Sequence, residues 1–200
     1  MVVIIIKFIK ENWDKIEIYI ISLWLLFFLI IVLTINVPIY FGRGWAFIGI
    51  TKLFKMNIVA LFSISFLIIG FIFYSRFKYK MGGSQRTAFK ITKIQNVNFE
   101  HLTFIATYII PLIAFDLSKT RFVIVLSLIL IIIGMIYVKT NIFYANPSLA
   151  LLGYHIYRVD GMFRTEERKE IIVISRQRLT LGMNVRYKKL DDKIYFVRVE

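Results

Sequence analysis

Twenty-five consecutive residues from Ile18 to Gly42, and twenty from Met56 to Ser75, carry no charge. Crossing a hydrocarbon core of about 30 Å takes roughly 20 apolar residues in a helix, so each run predicts a transmembrane helix. Two weaker runs follow. One lies between Glu100 and Asp116, contains Pro111, and reaches spanning length when Asn98 to Ser118 is counted, with its charged residues at headgroup depth. The other, Phe122 to Val138, is 17 residues dominated by Ile, Leu and Val, and Lys139 can snorkel to extend it toward Tyr144. Only Ser118 to Arg121 separates these two, which predicts a tight hairpin. Composition agrees with a membrane domain: 58% of the residues are hydrophobic and the mean hydropathy is +0.72, whereas soluble domains hold roughly 45–50% apolar residues. A cleaved signal peptide is the competing reading of the first run. The start MVVIIIK lacks a basic leader, however, and the run exceeds an h-region. The apolar start, with Lys7 and Lys10 among its hydrophobes, is expected along the inner membrane surface.

The character of the chain changes near Ala145. Asn146-Pro147 breaks the last helix, and Tyr154 to Val159, Glu170 to Arg176, Val185 to Leu190 and Ile194 to Val199 read as strands. Gly182 with Asn184, and Asp191-Asp192, suit two of the turns. The fold class expected is therefore an α-helical membrane protein: four transmembrane helices over residues 1–144, then a small cytoplasmic β-rich basic module over 145–200. Such a module buries little on its own, so it should lean on the membrane domain or on another subunit.

Charge gives the chain a direction. Of 26 Lys and Arg, 21 fall in the N-terminal stretch, the loop from Arg76 to Lys93 and the tail from Lys139. Five, namely Arg43, Lys52, Lys55, Lys119 and Arg121, fall in the two opposite loops. By the positive-inside rule both ends and the 76–99 loop face the cytoplasm of an inner-membrane protein. The formal net charge of +14 then draws the inner face toward anionic lipid heads. On that face Arg86, Lys90, Lys93, Arg186, Lys188 and Lys189 are candidates for docking a partner. Val185 and Tyr187 alternate with Arg186 and Lys188, the pattern of a half-exposed strand. No nucleic-acid-binding module signature accompanies it, which disfavours direct nucleic-acid binding. On the opposite loop Tyr40, Phe41, Trp45 and Phe47, interspersed with Gly42, Gly44 and Gly49, suit an aromatic belt.

Catalytic machinery is not legible. There is no Cys, which excludes disulfides and thiolate metal sites, and His101 and His155 lie far apart without paired carboxylates. No phosphate-binding glycine loop or nucleophile elbow occurs, and the lone Gly82-Gly83 pair fits neither. The chain is expected to be no enzyme and to need no cofactor or metal. Glu100 and His101 open the third helix and Asp116 closes it beside Lys119 and Arg121. These polar groups near the membrane suit helix-end anchoring, with an ion or proton relay as the alternative. Small residues recur at heptad spacing in three helices, Ser63 and Gly70, Thr107 and Ala114, Ser127 and Gly134. They mark helix contacts within or between subunits, and four thin helices suggest a homo-oligomer.

The segments EHLTFIATYIIPLIAFDL (100 to 117) and FYANPSLALLGYHIYRV (143 to 159), with the ending ISRQRLTL…VRYKKLDDKIYFVRV, resemble the membrane-subunit family of the Kiwa anti-phage defence system, KwaA. The similarity covers most of the chain, and the order of four helices followed by a basic β tail is similar too. The resemblance implies a cytoplasmic-membrane homo-oligomer that senses phage infection at the envelope and works with a soluble DNA-binding partner, KwaB. It assigns no individual functional residue. The function expected is a membrane sensor and scaffold that recruits a cytoplasmic effector through the 76–99 loop and the tail. The alternative is an oligomeric channel or ion-leak protein that opens when the envelope is perturbed.

Overall fold

The first apolar run folds as two helices: α1 (Trp13–Ser22) and α2 (Trp24–Thr34) meet at Leu23 and bend by 43°. The computed structural model describes residues 12–37, 47–82, 86–97, 99–140, 142 and 146–200. The predicted amphipathic start at Lys7 and Lys10, and Tyr40, Phe41, Trp45, Gly42, Gly44 and Gly83, lie outside the described residues. A short α3 (Ile50–Met56) leads into α4 (Ile58–Gly82), which runs past the end of the second apolar stretch and carries Arg76 and Lys80 clear of it. The hairpin pairs α5 (Phe99–Ala114), with Pro111 inside it, and α6 (Thr120–Lys139).

By length and composition α4 and α6 can each cross a membrane, and the bent α1–α2 pair makes a third span if taken as one. With 16 residues, α5 is shorter than the Asn98 to Ser118 span expected of it. The four predicted spans thus become two or three on this criterion. The helix α6 ends at Lys139 with a turn at Thr140, and Tyr144, toward which an extension is expected, lies outside the described residues.

Two aromatic clamps hold the helices together, and each depends on a glycine. Trp24 lies on α4 where Gly70 leaves room for it, a Cβ there colliding with the indole, and its Nε1 donates to the Leu67 carbonyl at 3.0 Å. Tyr19 lies on α6 over Gly134, where a Cβ would come within 2.6 Å of the ring, and its hydroxyl donates to the Leu130 carbonyl at 2.7 Å. In lipid, small residues earn their place by this kind of close approach. Ser63, two turns before Gly70, is buried, whereas Ser127 is exposed. At the far end Asn57 receives the Asn36 backbone N–H and donates its own amide to the Asn36 carbonyl, tying the end of α2 to the start of α4.

The β module closes into a barrel of five strands, one more than the tail supplies. They are β1 (Arg86–Asn96), β2 (His155–Met162), β3 (Glu167–Ser175), β4 (Asn184–Asp191) and β5 (Ile194–Val199), in the order β1-β2-β3-β5-β4. The four tail strands fall where the sequence places them, and Gly182 takes the positive φ of 84° that its turn requires. The fifth, β1, comes from the stretch between α4 and α5 that reads as a loop. It pairs antiparallel with both β2 and β4, and β3 with β5 is the parallel pair. Phe89, Ile91, Tyr157, Val173, Tyr195 and Val197 fill the interior. Outside, Ile156, Ile172, Ile174, Ile194 and Phe196 join Ile18, Phe77, Met81 and Leu149 in one continuous apolar cluster, so the barrel leans on the helices. A one-turn helix α7 (Pro147–Leu151) wedges into this contact. Asn146 caps it by accepting from the Leu149 N–H at 3.1 Å, and its amide donates to the Ile18 carbonyl in α1 at 3.0 Å.

Candidate functional site

Three elements converge where helices meet barrel. Asp14 and Glu17 stand one turn apart on α1, and Arg76 and Lys80 one turn apart on α4, so each pair presents its charges on a single face. Arg76 reaches Glu17 Oε1 at 3.2 Å, and Lys80 reaches Glu17 Oε2 at 3.5 Å and Asp14 Oδ1 at 2.7 Å. From the next residue on α1, Lys15 spans to Asp191 at the end of β4, 3.1 Å away. The Glu17 side chain is only 3% exposed, whereas Arg76 is 51% exposed. Glu17 Oε1 accepts no hydrogen bond among the described residues, so the nearby Arg76 guanidinium acts on this oxygen as a charge. The adjoining cavity of about 340 Å³ is lined by Trp13, Phe77 and Leu190 and by the charged Asp14, Lys15, Glu17, Lys80 and Asp191. A buried carboxylate is costly unless its charge is answered. This arrangement therefore works as an electrostatic latch between α1, α4 and the barrel.

The six basic docking candidates come together on two neighbouring strands. Arg86, Lys90 and Lys93 belong to β1 and Arg186, Lys188 and Lys189 to β4, with Arg86 opposite Tyr187 and Lys90 opposite Asn184. They are not equivalent. Lys188 is half-buried and donates to the Lys80 carbonyl at the end of α4, which makes it part of the latch. Arg186 pairs with Glu200 at 3.2 Å, and Lys189 with Asp192 at 2.8 Å, where the hydrogen bond pulls the Asp192 carboxyl below its ordinary range. Lys90 and Lys93 are exposed and make no ion pair among the described residues. The Arg86 side chain lies outside the described residues.

Of the polar residues expected at the hairpin, Glu100 and His101 fall in the first turn of α5, and their side chains lie outside the described residues. Asp116 is exposed in the turn between α5 and α6. It accepts from the Ser118 hydroxyl at 2.6 Å and the Ser118 N–H at 3.1 Å, and pairs with Lys119 at 2.9 Å. Among the described residues no group of three or more His, Asp or Glu could hold a metal ion.

The latch is what sequence reasoning missed, and a signal for it existed. Glu17 immediately precedes the uncharged run at Ile18 and Arg76 immediately follows the one ending at Ser75. Two antiparallel spans with opposite charges at matching ends bring those charges to the same depth.

Comparison with known proteins completes the picture. A family model described as anti-phage protein KwaA matches residues 14–196. Kiwa protein KwaA of Escherichia coli O55:H7 is 36% identical over 190 residues, covering 94% of this chain and 97% of that protein. No solved structure matches the chain. The match takes in both halves of the molecule, helices and barrel, along with α1, α4 and the strands that form the latch, and on it this chain belongs to the KwaA family of anti-phage proteins of the Kiwa system.

Proposed function

We propose that this chain is a multi-pass inner-membrane protein that senses disturbance of the envelope during phage infection. In this reading it transmits that state, without catalysis of its own, to a soluble KwaB-like effector docked on its barrel. The observation that carries the reading is the way the barrel is threaded through the helices: β1 precedes the α5–α6 hairpin and β2 follows it, yet the two are hydrogen-bonded neighbours. Movement of the helices is therefore movement of the barrel strands.

The same threading supports four crossings. Two strands of one barrel lie on one side of a membrane, so the chain between them crosses an even number of times. If α6 crosses, residues 98–118 cross as well, short as α5 is. A tilted neighbour, locally thinned lipid and flanking residues at headgroup depth accommodate such a span. The start of α1 and the end of α4 both touch the barrel, through Lys15–Asp191 and Lys188–Lys80, which fits one shared side for the chain ends, and the excess of Lys and Arg favours the cytoplasm for it.

The barrel order, with its parallel β3–β5 pair, is that of OB-type barrels, which take oligonucleotides on the face of strands two and three. Here the apolar outer side of those strands is covered by helices. That favours a protein partner over nucleic acid, and the exposed β1–β4 ribbon with Lys90 and Lys93 over the β2–β3 face. Exposed apolar side chains along α6, such as Ile124, Leu128 and Ile131, suit lipid or a second copy in a homo-oligomer. The ion-leak alternative draws no comparable support, since Asp116 is tied up by Ser118 and Lys119.

Reversing both exposed charges, Lys90→Glu with Lys93→Glu, should reduce co-purification of the effector by about tenfold while the protein stays in the membrane fraction. Unchanged recovery of the effector would remove β1 as the dock.

A further inference from the structure

An apolar groove of about 630 Å³ opens between α2, α4 and α7, walled by Trp24, Phe28, Ile64, Ile68, Phe71 and Leu152. From Ile64 to Phe71 it follows α4 for roughly 10 Å. The one hydroxyl on its wall, that of Ser148, is donated to the Ser22 carbonyl at 3.3 Å. At the barrel end its chemistry changes. Arg176, just past β3, donates to the Leu152 carbonyl at 3.5 Å and lies 5.2 Å from the centre of the Tyr154 ring. Arg198 of β5 stands 5.8 Å over the ring of Phe196, whose centre is 6.2 Å from that of Tyr154. Tyr154 is thus met by Arg176 directly and by Arg198 through Phe196. On α4, Tyr74 stands 5.8 Å from Trp24 at the groove wall. Both arginines are exposed, and neither makes an ion pair among the described residues.

We propose that this groove holds an acyl chain of an anionic phospholipid whose phosphate rests against Arg176 and Arg198. The inference depends on the membrane reading above and adds a defined ligand to it. Guanidinium groups bind phosphate oxygens in a bidentate fork, and basic pockets beside transmembrane helices on the cytoplasmic side select anionic headgroups. Aromatic side chains at the mouth suit the headgroup layer. The acyl chain touches α2, α4 and α7, whereas the phosphate touches groups borne by the barrel, so one lipid bridges the two halves.

The full-length protein, purified in neutral detergent, is titrated with dioleoyl phosphatidylglycerol or with dioleoyl phosphatidylcholine while thermal unfolding is followed. A saturating ligand that binds the folded state alone should raise Tm by about 5–10 °C, with phosphatidylglycerol and not with phosphatidylcholine. Arg176→Glu with Arg198→Glu should abolish the rise, and Ile68→Trp, which fills the groove without touching a charge, should reduce it to less than half. Equal stabilisation by the two lipids, or a phosphatidylglycerol effect that survives both variants, overturns the proposal. So does a change in oligomer size on Ile68→Trp with the lipid effect intact, which makes the groove a contact between copies. Recovery of the protein in the soluble fraction without detergent is the separate result that defeats the membrane reading itself.

Discussion

Glu17 shows how unequal the two sides of an ion pair can be. Its carboxylate is buried while its partners Arg76 and Lys80 reach solvent. Neutralising the acid leaves cations that water can take over; removing the cations strands a charge with nowhere to go. Glu17→Gln should therefore lower stability by less than about 1 kcal/mol, whereas Arg76→Ala with Lys80→Ala should cost about 2–3 kcal/mol, discounted for the exposure of the lysine and arginine. Unfolding in detergent followed by tryptophan fluorescence measures both, and equal losses would show that Glu17 is not the buried member that matters. Asp14 also holds Lys80, so Arg76→Ala alone should fall between the two.

Among the elements, the tail strands were legible for two reasons: β4 alternates apolar and charged residues, and β3 and β5 each carry a short run of β-branched and aromatic residues, Ile171 to Ile174 and Ile194 to Val197. In β1 the alternation breaks. Phe89 and Ile91 point inward, then a bulge between Ile91 and Lys93 shifts the register, so that the next inward residue is Ile94. Period-two reading fails at such a bulge, and the partners of β1 lie some 60 to 100 residues away along the chain, where no local pattern reveals them. The bend at Leu23 carries only a faint signal: no Pro or Gly stands beside it, and its one polar neighbour is Ser22, whose hydroxyl donates to the Tyr19 carbonyl at 2.6 Å, a back-bond that bends helices. Heptad-spaced small residues did point to helix contacts, and Gly70 and Gly134 are where aromatics land. Gly134→Ala should push the Tyr19 ring off its seat and cost about 1–3 kcal/mol, visible as a fall in Tm. Gly82→Ala, with nothing within 4 Å of its new methyl, is the matched control and should leave Tm unchanged or slightly higher. Equal effects at the two sites would deny the clamp.

On the scale of the whole molecule, hydropathy made the long apolar helices α4 and α6 readable, whereas the union of a mid-chain segment with the tail in one barrel was not. The absence of native cysteine makes that union open to a direct check. In permeabilised cells with the inner membrane intact, an impermeant maleimide should label Lys119→Cys at the hairpin turn. Arg178→Cys, in the loop after β3, should be labelled only once that membrane is broken. Labelling of both from one side would remove the four-crossing arrangement. The threading also imposes a timetable on synthesis. Strand β1 leaves the ribosome about a hundred residues ahead of β5, which at roughly 5–20 residues per second is several seconds during which its edges stand open. If the hairpin crosses as proposed, the barrel can be closed only after the hairpin has gone into the bilayer and come back. On that reading a chain whose hairpin stalls halfway would deliver β2 to the wrong compartment and form no barrel, so only correctly inserted copies would acquire the surface that a partner could recognise.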